Sequence, residues 1–332
     1  MILDPSINNR KLIVGVGSAL VDILARENDE FLEKSGAVKG GMKYVDKEFI
    51  ELTISNASQA PTIVSGGSAC NTAIGVAKLG GRARFVGKSG QDKMGAFFET
   101  DLIKNNVDPI LFKSSSPTGR VLSIITPDAQ RSMFTFLGAS AETLPAEMTP
   151  ECFADAAIVH IEGYLLFNAD LILAALNAAK AAGALVSLDL ASFTVVAESK
   201  KLLATIIKDF VDILIANEDE ARVYTGYGDE IQALTTLAQD THIAALKLGK
   251  RGSLIAHAGN IFQIEPHGAG MAIDTTGAGD LWAAGFLFGL VNSYSLKKSG
   301  KLGSACGYEV CQVVGANIPE EGWQRIHKLL EE

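Results

Sequence analysis

The sequence predicts an α/β fold: a central, mainly parallel sheet with helices on both faces, carrying a small β-rich lid. Three observations point there. Short β-branched runs alternate regularly with helical patterns between residues 157 and 256, the pattern of parallel strands joined by crossover helices. Residues 107–137 break that alternation with three β-like runs separated by turn sequences. The 332 residues are 48% hydrophobic and 20% charged, which suffices for one large buried core.

In chain order, residues 11–17 (KLIVGVG) read as a buried strand bounded by glycine. Residues 37–47 (GAVKGGMKYVD) read as exposed or half-exposed strand. Ile63 and Val64 lead into Gly66-Gly67, after which Ala69, Ala73, Val76, Ala77 and Leu79 mark a helix that stops at Gly80-Gly81. Residues 85–87 are strand-like and 93–105 helical. The runs ILF, RVLSIIT and SMFTFL, split by SSSPTG and PDAQ, suggest a small antiparallel sheet. Strands are then expected at 157–161, 185–190, 212–216, 243–248 and 253–256, and helices at 169–182, 199–210 and 218–225. With no linker, repeat or low-complexity tract, one domain is expected over 1–332. Its core would be 1–17, 51–105 and 141–332, and its lid about 18–50 and 106–140.

Formal net charge is −9, from 29 basic and 38 acidic residues. Such a surface repels nucleic-acid phosphates and anionic membranes, so neither is an expected partner. The first apolar run follows a polar stretch and is broken by Asp22, and residues 283–291 are too short to cross a bilayer. A soluble, cytoplasmic protein is the expectation. Cys70, Cys152, Cys306 and Cys311 form no Cys-x-x-Cys pair and have no histidine cluster beside them, so they read as reduced core thiols and not as zinc ligands.

The chemistry concentrates at residues 274–280, Asp274-Thr275-Thr276-Gly277-Ala278-Gly279-Asp280, directly before the apolar helical run LWAAGFLFGLV. Small residues let a phosphate approach the backbone, and N–H groups at a helix start converge on it with the helix dipole behind them. Asp280, one turn in, can accept the proton of an attacking hydroxyl while residues 277–279 hold the charge on a moving phosphoryl group. A generic Gly-x-Gly-Asp is also an ordinary helix start. The seven-residue string is more restrictive, and it resembles the signature of the ribokinase-like (PfkB) carbohydrate kinase family.

Four further segments, in family order, carry the same resemblance. Gly66-Gly67-Ser68-Ala69-Cys70-Asn71 resembles the turn against which the family seats its sugar, with Asn71 bonding hydroxyls. Asp22 in GSALVDI resembles the carboxylate that holds a ribose diol. Asn217 and Glu220 resemble the family's Asn-x-x-Glu element, which holds water around Mg²⁺ and the ATP phosphates. Lys247, Gly249 and Gly252 belong to a turn resembling the one that lies under the nucleotide, and Thr275 is grouped with them as nucleotide-binding. The resemblance implies a ribokinase-like three-layer fold, ATP and Mg²⁺ as cofactors, and phosphorylation of a hydroxymethyl group. It also implies K⁺ near Asp274 and residues 313–316, as some members have.

Arg131-Ser132-Met133-Phe134 and the extended 26–45 segment resemble adenosine-kinase-like members. Arg131 is then a candidate partner of the transferring group, and Phe134 and Phe136 candidates to stack on a purine. An exposed hairpin arginine and a half-buried strand face are the plain alternatives. An adenosine-like nucleoside is the preferred substrate, with a ribokinase- or fructokinase-type sugar kinase as alternative. A catalytically silent binder that kept the fold has no need of Asp280. A dinucleotide enzyme is disfavoured because Leu20 stands where Gly15-Val16-Gly17 needs its third glycine. Either a monomer or a homodimer fits the sequence.

Overall fold

The computed structural model describes residues 9–36, 39, 41–128 and 130–331. In chain order, the first half of the chain contains β1 (Leu12–Val16), β2 (Leu20–Arg26), α1 (Asp29–Lys34), β3 (Met42–Tyr44), α2 (Lys47–Ser55), β4 (Thr62–Gly66), α3 (Ser68–Lys78), β5 (Arg82–Gly90), α4 (Lys93–Lys104), β6 (Val107–Ser114), β7 (Gly119–Ile125) and β8 (Arg131–Phe136). The second half contains β9 (Ala156–Glu162), α5 (Ala169–Ala181), β10 (Leu185–Asp189), α6 (Phe193–Phe210), β11 (Ile213–Asn217), α7 (Glu218–Thr225), α8 (Glu230–Leu237), β12 (Ile243–Lys247), β13 (Ser253–His257), β14 (Asn260–Ile264), α9 (Ala278–Val291), α10 (Leu296–Val310) and α11 (Glu320–Glu331).

Among the described residues the strands form two sheets. The larger has nine strands in the order β14-β13-β12-β11-β10-β9-β1-β5-β6. From β12 to β6 every neighbouring pair is parallel, and β13 and β14 close one edge antiparallel. Its faces are covered by different helices, and alternation along the strands feeds both cores. Leu12, Val14 and Val16 of β1 join Leu214 and Ala216 of β11 under α5, α6, α7 and α8. Ile13, Ile213 and Ile215 point the other way, towards α3, α4 and α9. Helix α9 is buried at every position from Leu281 to Val291, as expected of a helix apolar all round.

The smaller sheet has the order β3-β8-β7-β2-β4. Here the structure corrects three sequence-based expectations. Residues 107–114 form β6, which pairs parallel with β5 over eight positions, so the ILF run extends the large sheet and does not open the insertion. Residues 62–66, expected in the core, form an edge strand of the small sheet against β2. Lastly, that sheet is mixed: β2–β7 and β3–β8 are parallel, β2–β4 and β7–β8 antiparallel. Turn residues announce hairpins, whereas the partner of an isolated apolar run is set by the distant strand that needs covering. Of the strand-like segment 37–47, residues 42–44 form the exposed β3, and residues 37, 38 and 40 lie outside the described residues.

Among the described residues no helix is long and apolar enough to cross a membrane.

Candidate active site

Parallel strands end on one side of the large sheet, and the crevice outside their carboxyl ends is where such sheets bind ligands. Three neighbouring strands end there on polar residues: Asp189 on β10, Asn217 on β11 and Lys247 on β12, with Glu162 next to them on β9. These four residues line a cavity of about 810 Å³ that also takes in Asp22, Gly67, Asn71, Arg131, Glu220, Thr275, Gly277, Gly279 and Asp280.

Asp280 is the third residue of α9. Helix α9 starts from Gly277, whose left-handed backbone (φ 71°) and contact with Ala316 leave no room for a Cβ. Side chains of α3 aim the Asp280 carboxylate: Ser68 Oγ donates to Oδ1 at 2.7 Å and Asn71 Nδ2 to Oδ2 at 2.9 Å. Thr72 Oγ1 adds a bond to the Asp280 carbonyl at 3.1 Å. Burial raises the Asp280 pKa, and the bonds from Asn71 and Ser68 pull against that rise. Each oxygen keeps a lone pair for a substrate hydroxyl.

Asp22 lies on β2 of the small sheet, facing the same cavity and 6% exposed. Gly66 makes room for it across the β2–β4 pair, since a Cβ there would meet the Asp22 carboxyl at 2.4 Å. Burial lifts the Asp22 pKa to about 6, although the Arg131 guanidinium opposes the shift. Gly67 turns the chain into α3 at φ 97°, against the Ser18 carbonyl.

Arg131 of β8 donates Nε to Ser123 at 2.8 Å and Nη1 to Thr276 Oγ1, tying the small sheet to the 274–280 loop. Asp274 braces that loop. It accepts from Thr276 N and Oγ1 (2.9 and 2.7 Å) and from Gly315 N (2.8 Å), which holds its carboxyl below the usual range against the effect of burial.

Asn217 and Glu220 cap α7 reciprocally. Glu220 accepts from Asn217 N (2.8 Å) and Nδ2 (2.7 Å), while Asn217 Oδ1 accepts from Glu220 N at 2.9 Å. Burial and the nearby Asp189 push Glu220 up to about 7. A buried carboxylate held this way beside the cavity fits a cation that arrives with its own water and phosphate ligands.

Several expected site residues fall elsewhere. Gly249 and Gly252 sit in the turn between β12 and β13, outside the cavity lining. Phe134 is fully buried against Phe49, with ring centroids 4.8 Å apart, and Phe136 packs into the core beneath the sheet. Their β8 neighbours Met133 and Thr135, and Leu137 just after the strand, line the cavity instead. The strand alternates as expected, but the aromatic positions fall on its inner face, so neither phenylalanine stacks on a ligand.

Sequence reading missed Glu162, Asp189 and Ser68. Glu162 is 1% exposed and joins β1 to α3, accepting from Ser18 N (2.8 Å) and Ala69 N (3.1 Å). A Cβ at Gly17 would lie 2.2 Å from its Oε2, which accounts for the glycine after β1 without a dinucleotide. The available signal was an acidic residue closing an apolar strand, at 162 and again at 189.

Residues 37–322 match the sequence profile of the pfkB family carbohydrate kinases. Probable fructokinase-2 of Arabidopsis thaliana is 29% identical over 326 residues, covering 90% of each chain. Among solved structures, a probable sugar kinase from Rhizobium etli CFN 42 superposes with a TM-score of 0.87 at 33% identity, covering 97% of this chain and 98% of its own. An adenosine kinase from Sinorhizobium meliloti gives 0.86 at 33% identity, covering 97% and 99%. The chain therefore belongs to the pfkB family of carbohydrate kinases, with the ribokinase-like fold, and is a kinase of sugars or nucleosides.

Proposed function

We propose that the protein transfers the γ-phosphoryl group of ATP to the hydroxymethyl oxygen of a nucleoside, with an adenosine-like substrate preferred. The observation that carries this is that Asp280, aimed by Ser68 and Asn71, lines one cavity together with Gly277, Gly279 and Asp22. Asp22 accepts a pair of substrate hydroxyls, which supply the partners that a buried carboxylate needs. Asp280 takes the proton of the attacking oxygen. The N–H groups at the start of α9 face the charge on the transferred group.

ATP lies with its phosphates towards residues 275–279 and the ends of β11 and β12. Asn217 and Glu220 would hold Mg²⁺ through its water shell, and the ion would supply positive charge to offset that of the phosphates. Asp274 braces the loop beside which the family resemblance implies K⁺, and its bond to Gly315 ties that loop to the 313–316 stretch. The small sheet acts as a lid, because Arg131 reaches from it to Thr276 and closure would exclude water from the transfer.

The preference for a nucleoside rests on the large apolar side chains of the cavity lining. Met42, Tyr44, Tyr164 and Phe167 line the cavity yet are 49%, 53%, 38% and 52% exposed. Large apolar side chains left open in this way suit the faces of a base better than a free sugar. Phosphorylation of a free sugar by the same residues is the second reading, favoured by the name of the Arabidopsis relative.

The test is ADP release by the purified protein with Mg²⁺ and ATP, against a panel of nucleosides and sugars. Substrate-dependent release with adenosine or another nucleoside is expected. Release with free sugars alone would retain the mechanism and overturn the substrate preference, and no substrate-dependent release with any member would overturn the activity.

A further inference from the structure

Two basic side chains line the cavity among the described residues, Arg131 on the small sheet and Lys247 on the large one. Lys247 ends β12, but its ammonium does not stay beneath the turn that follows. It reaches across β11 to Asp189 at the end of β10, with Nζ 2.7 Å from Oδ2. Both side chains are nearly buried, at 13% and 6% exposure. The ammonium also lies against the anion-facing turn, since a Cβ placed on Gly279 would come within 2.9 Å of Nζ. Glu220 and Asp280 surround the same point and favour its charged form, as Asp189 does.

An ion pair in such a position is poorly explained as structural reinforcement. Burying two charges carries a desolvation cost, and apolar side chains of similar volume often do as well or better. An ammonium has three N–H donors, and Asp189 takes one of them. A chain of net charge −9 that handles a nucleoside triphosphate must also supply positive potential locally.

We propose that Lys247 is a catalytic residue that donates to an oxygen of the transferring phosphoryl group, with Asp189 as the positioning residue that holds the ammonium against Gly279. The inference rests on the kinase reading above and deepens it. As the substrate oxygen bonds to the γ-phosphorus and the bond to the β–γ bridging oxygen breaks, the hydroxyl proton passes to Asp280 and ADP leaves with the bridging oxygen. The negative charge spread over the γ-oxygens then faces a fixed cation as well as the α9 N–H groups. No large movement is needed, because Nζ already borders the turn. The acidic groups around Lys247 are Asp189 on β10, Glu220 on α7 and Asp280 on α9, which together keep it protonated.

The test compares wild type with Lys247→Met and with the double variant Lys247→Met/Asp189→Leu. The double variant removes both charges and leaves no orphaned carboxylate. Turnover, the affinity for Mg²⁺–ADP, and the gain in that affinity on adding aluminium fluoride with the acceptor substrate are measured for each protein. Aluminium fluoride beside ADP stands in for the transferring phosphoryl group.

Expected is a fall in kcat of about two to three decades in both variants, with KM for the acceptor and ADP affinity within about threefold of wild type, and loss of the aluminium fluoride gain. The double variant should stay folded and remain equally slow, because its deficit is electrostatic and not structural. Recovery of a third or more of wild-type turnover in the double variant, or an aluminium fluoride gain undiminished in Lys247→Met, would overturn the proposal. Failure of wild type itself to transfer phosphate is a different outcome, which removes the kinase reading and this inference together.

Discussion

At the residue scale, the site is an arrangement in which small residues make room for buried carboxylates. Gly66 clears space for Asp22, Gly17 for Glu162, and Gly277 lets the chain turn into α9 three residues before Asp280. Asp280 must be ionised to accept a proton, and burial raises its pKa. Activity should therefore fall on acidification, through a midpoint above the ordinary aspartate value of 3.8. Asn71 donates to the carboxylate and so lowers its pKa, and Asn71→Ala should move that acid limb to higher pH. A kcat–pH profile of the two proteins checks both statements. An acid limb that stays put in Asn71→Ala would remove Asn71 from the aiming of the base.

Much of this was legible in the sequence, and what was not has physical causes. The string 274–280 stands out because Gly277-Ala278-Gly279 runs directly into Asp280 at a helix start and the full seven residues carry the family resemblance. Asp22 and Asn71 could be named through the family resemblance of the segments that carry them. Glu162 and Asp189 are single acidic residues ending apolar strands, and only the parallel register sets them beside Asn217 and Lys247. The phenylalanines of β8 failed differently. Alternation sets Phe134 and Phe136 on one face and Met133 and Thr135 on the other, but which face meets the cavity depends on α2, whose Phe49 packs on Phe134.

At the scale of elements, α9 is the part on which the proposed chemistry depends. Its N-terminus is the turn proposed to face the phosphoryl group, and its body is held by α3 and α10 through close contacts at glycines. A Cβ on Gly285 would lie 2.7 Å from the Leu302 carbonyl, and one on Gly303 2.8 Å from the Trp282 carbonyl. Gly285→Ala should destabilise the protein by about 1–3 kcal/mol through overpacking, read from denaturant unfolding. The substitution lies more than one turn from Asp280, so turnover of the folded variant should drop far less than in Asp280→Ala. Unchanged stability would mean that α9 and α10 are free to separate. The strands were easier to foresee than their partners: the ILF run of β6 reads correctly as strand-like yet joins the large sheet, and residues 62–66, assigned to the core without a strand of their own, form β4 of the small one. Local sequence sets the tendency to extend, while pairing is decided by long-range covering of apolar faces.

At the scale of the whole molecule, the chain carries net charge −9 and gathers carboxylates around one cavity. Four of them have raised folded-state pKa values, each chiefly from burial: Asp22 at about 6, Glu162 and Glu220 at about 7, and Asp280 above its ordinary value. Burial pushes His160 down to about 4, which offsets one of these protons, yet the folded state still holds more protons than the unfolded chain between about pH 4 and 7, and stability declines as pH rises through that window. Asp189 and Asp274 are shifted the opposite way, and their stabilisation is lost only under more acidic conditions. The ligand-free protein should accordingly melt at a lower temperature at pH 7.5 than at pH 5.5. Asp22→Asn should lessen the difference. A melting temperature that climbs over this range would contradict the burial of uncompensated carboxylates at the site.

The central claim, that Asp280 drives phosphoryl transfer to a bound hydroxymethyl group, is tested most directly by following label from γ-labelled ATP. Wild type and Asp280→Ala are incubated with Mg²⁺ and the acceptor that supports the fastest ADP release. Wild type should place the label on the acceptor as a phosphate monoester of its hydroxymethyl carbon, and Asp280→Ala should do so about two to four decades more slowly while still binding the acceptor. Labelled ester formed by Asp280→Ala at near the wild-type rate, or label released by wild type only as inorganic phosphate, would contradict the account.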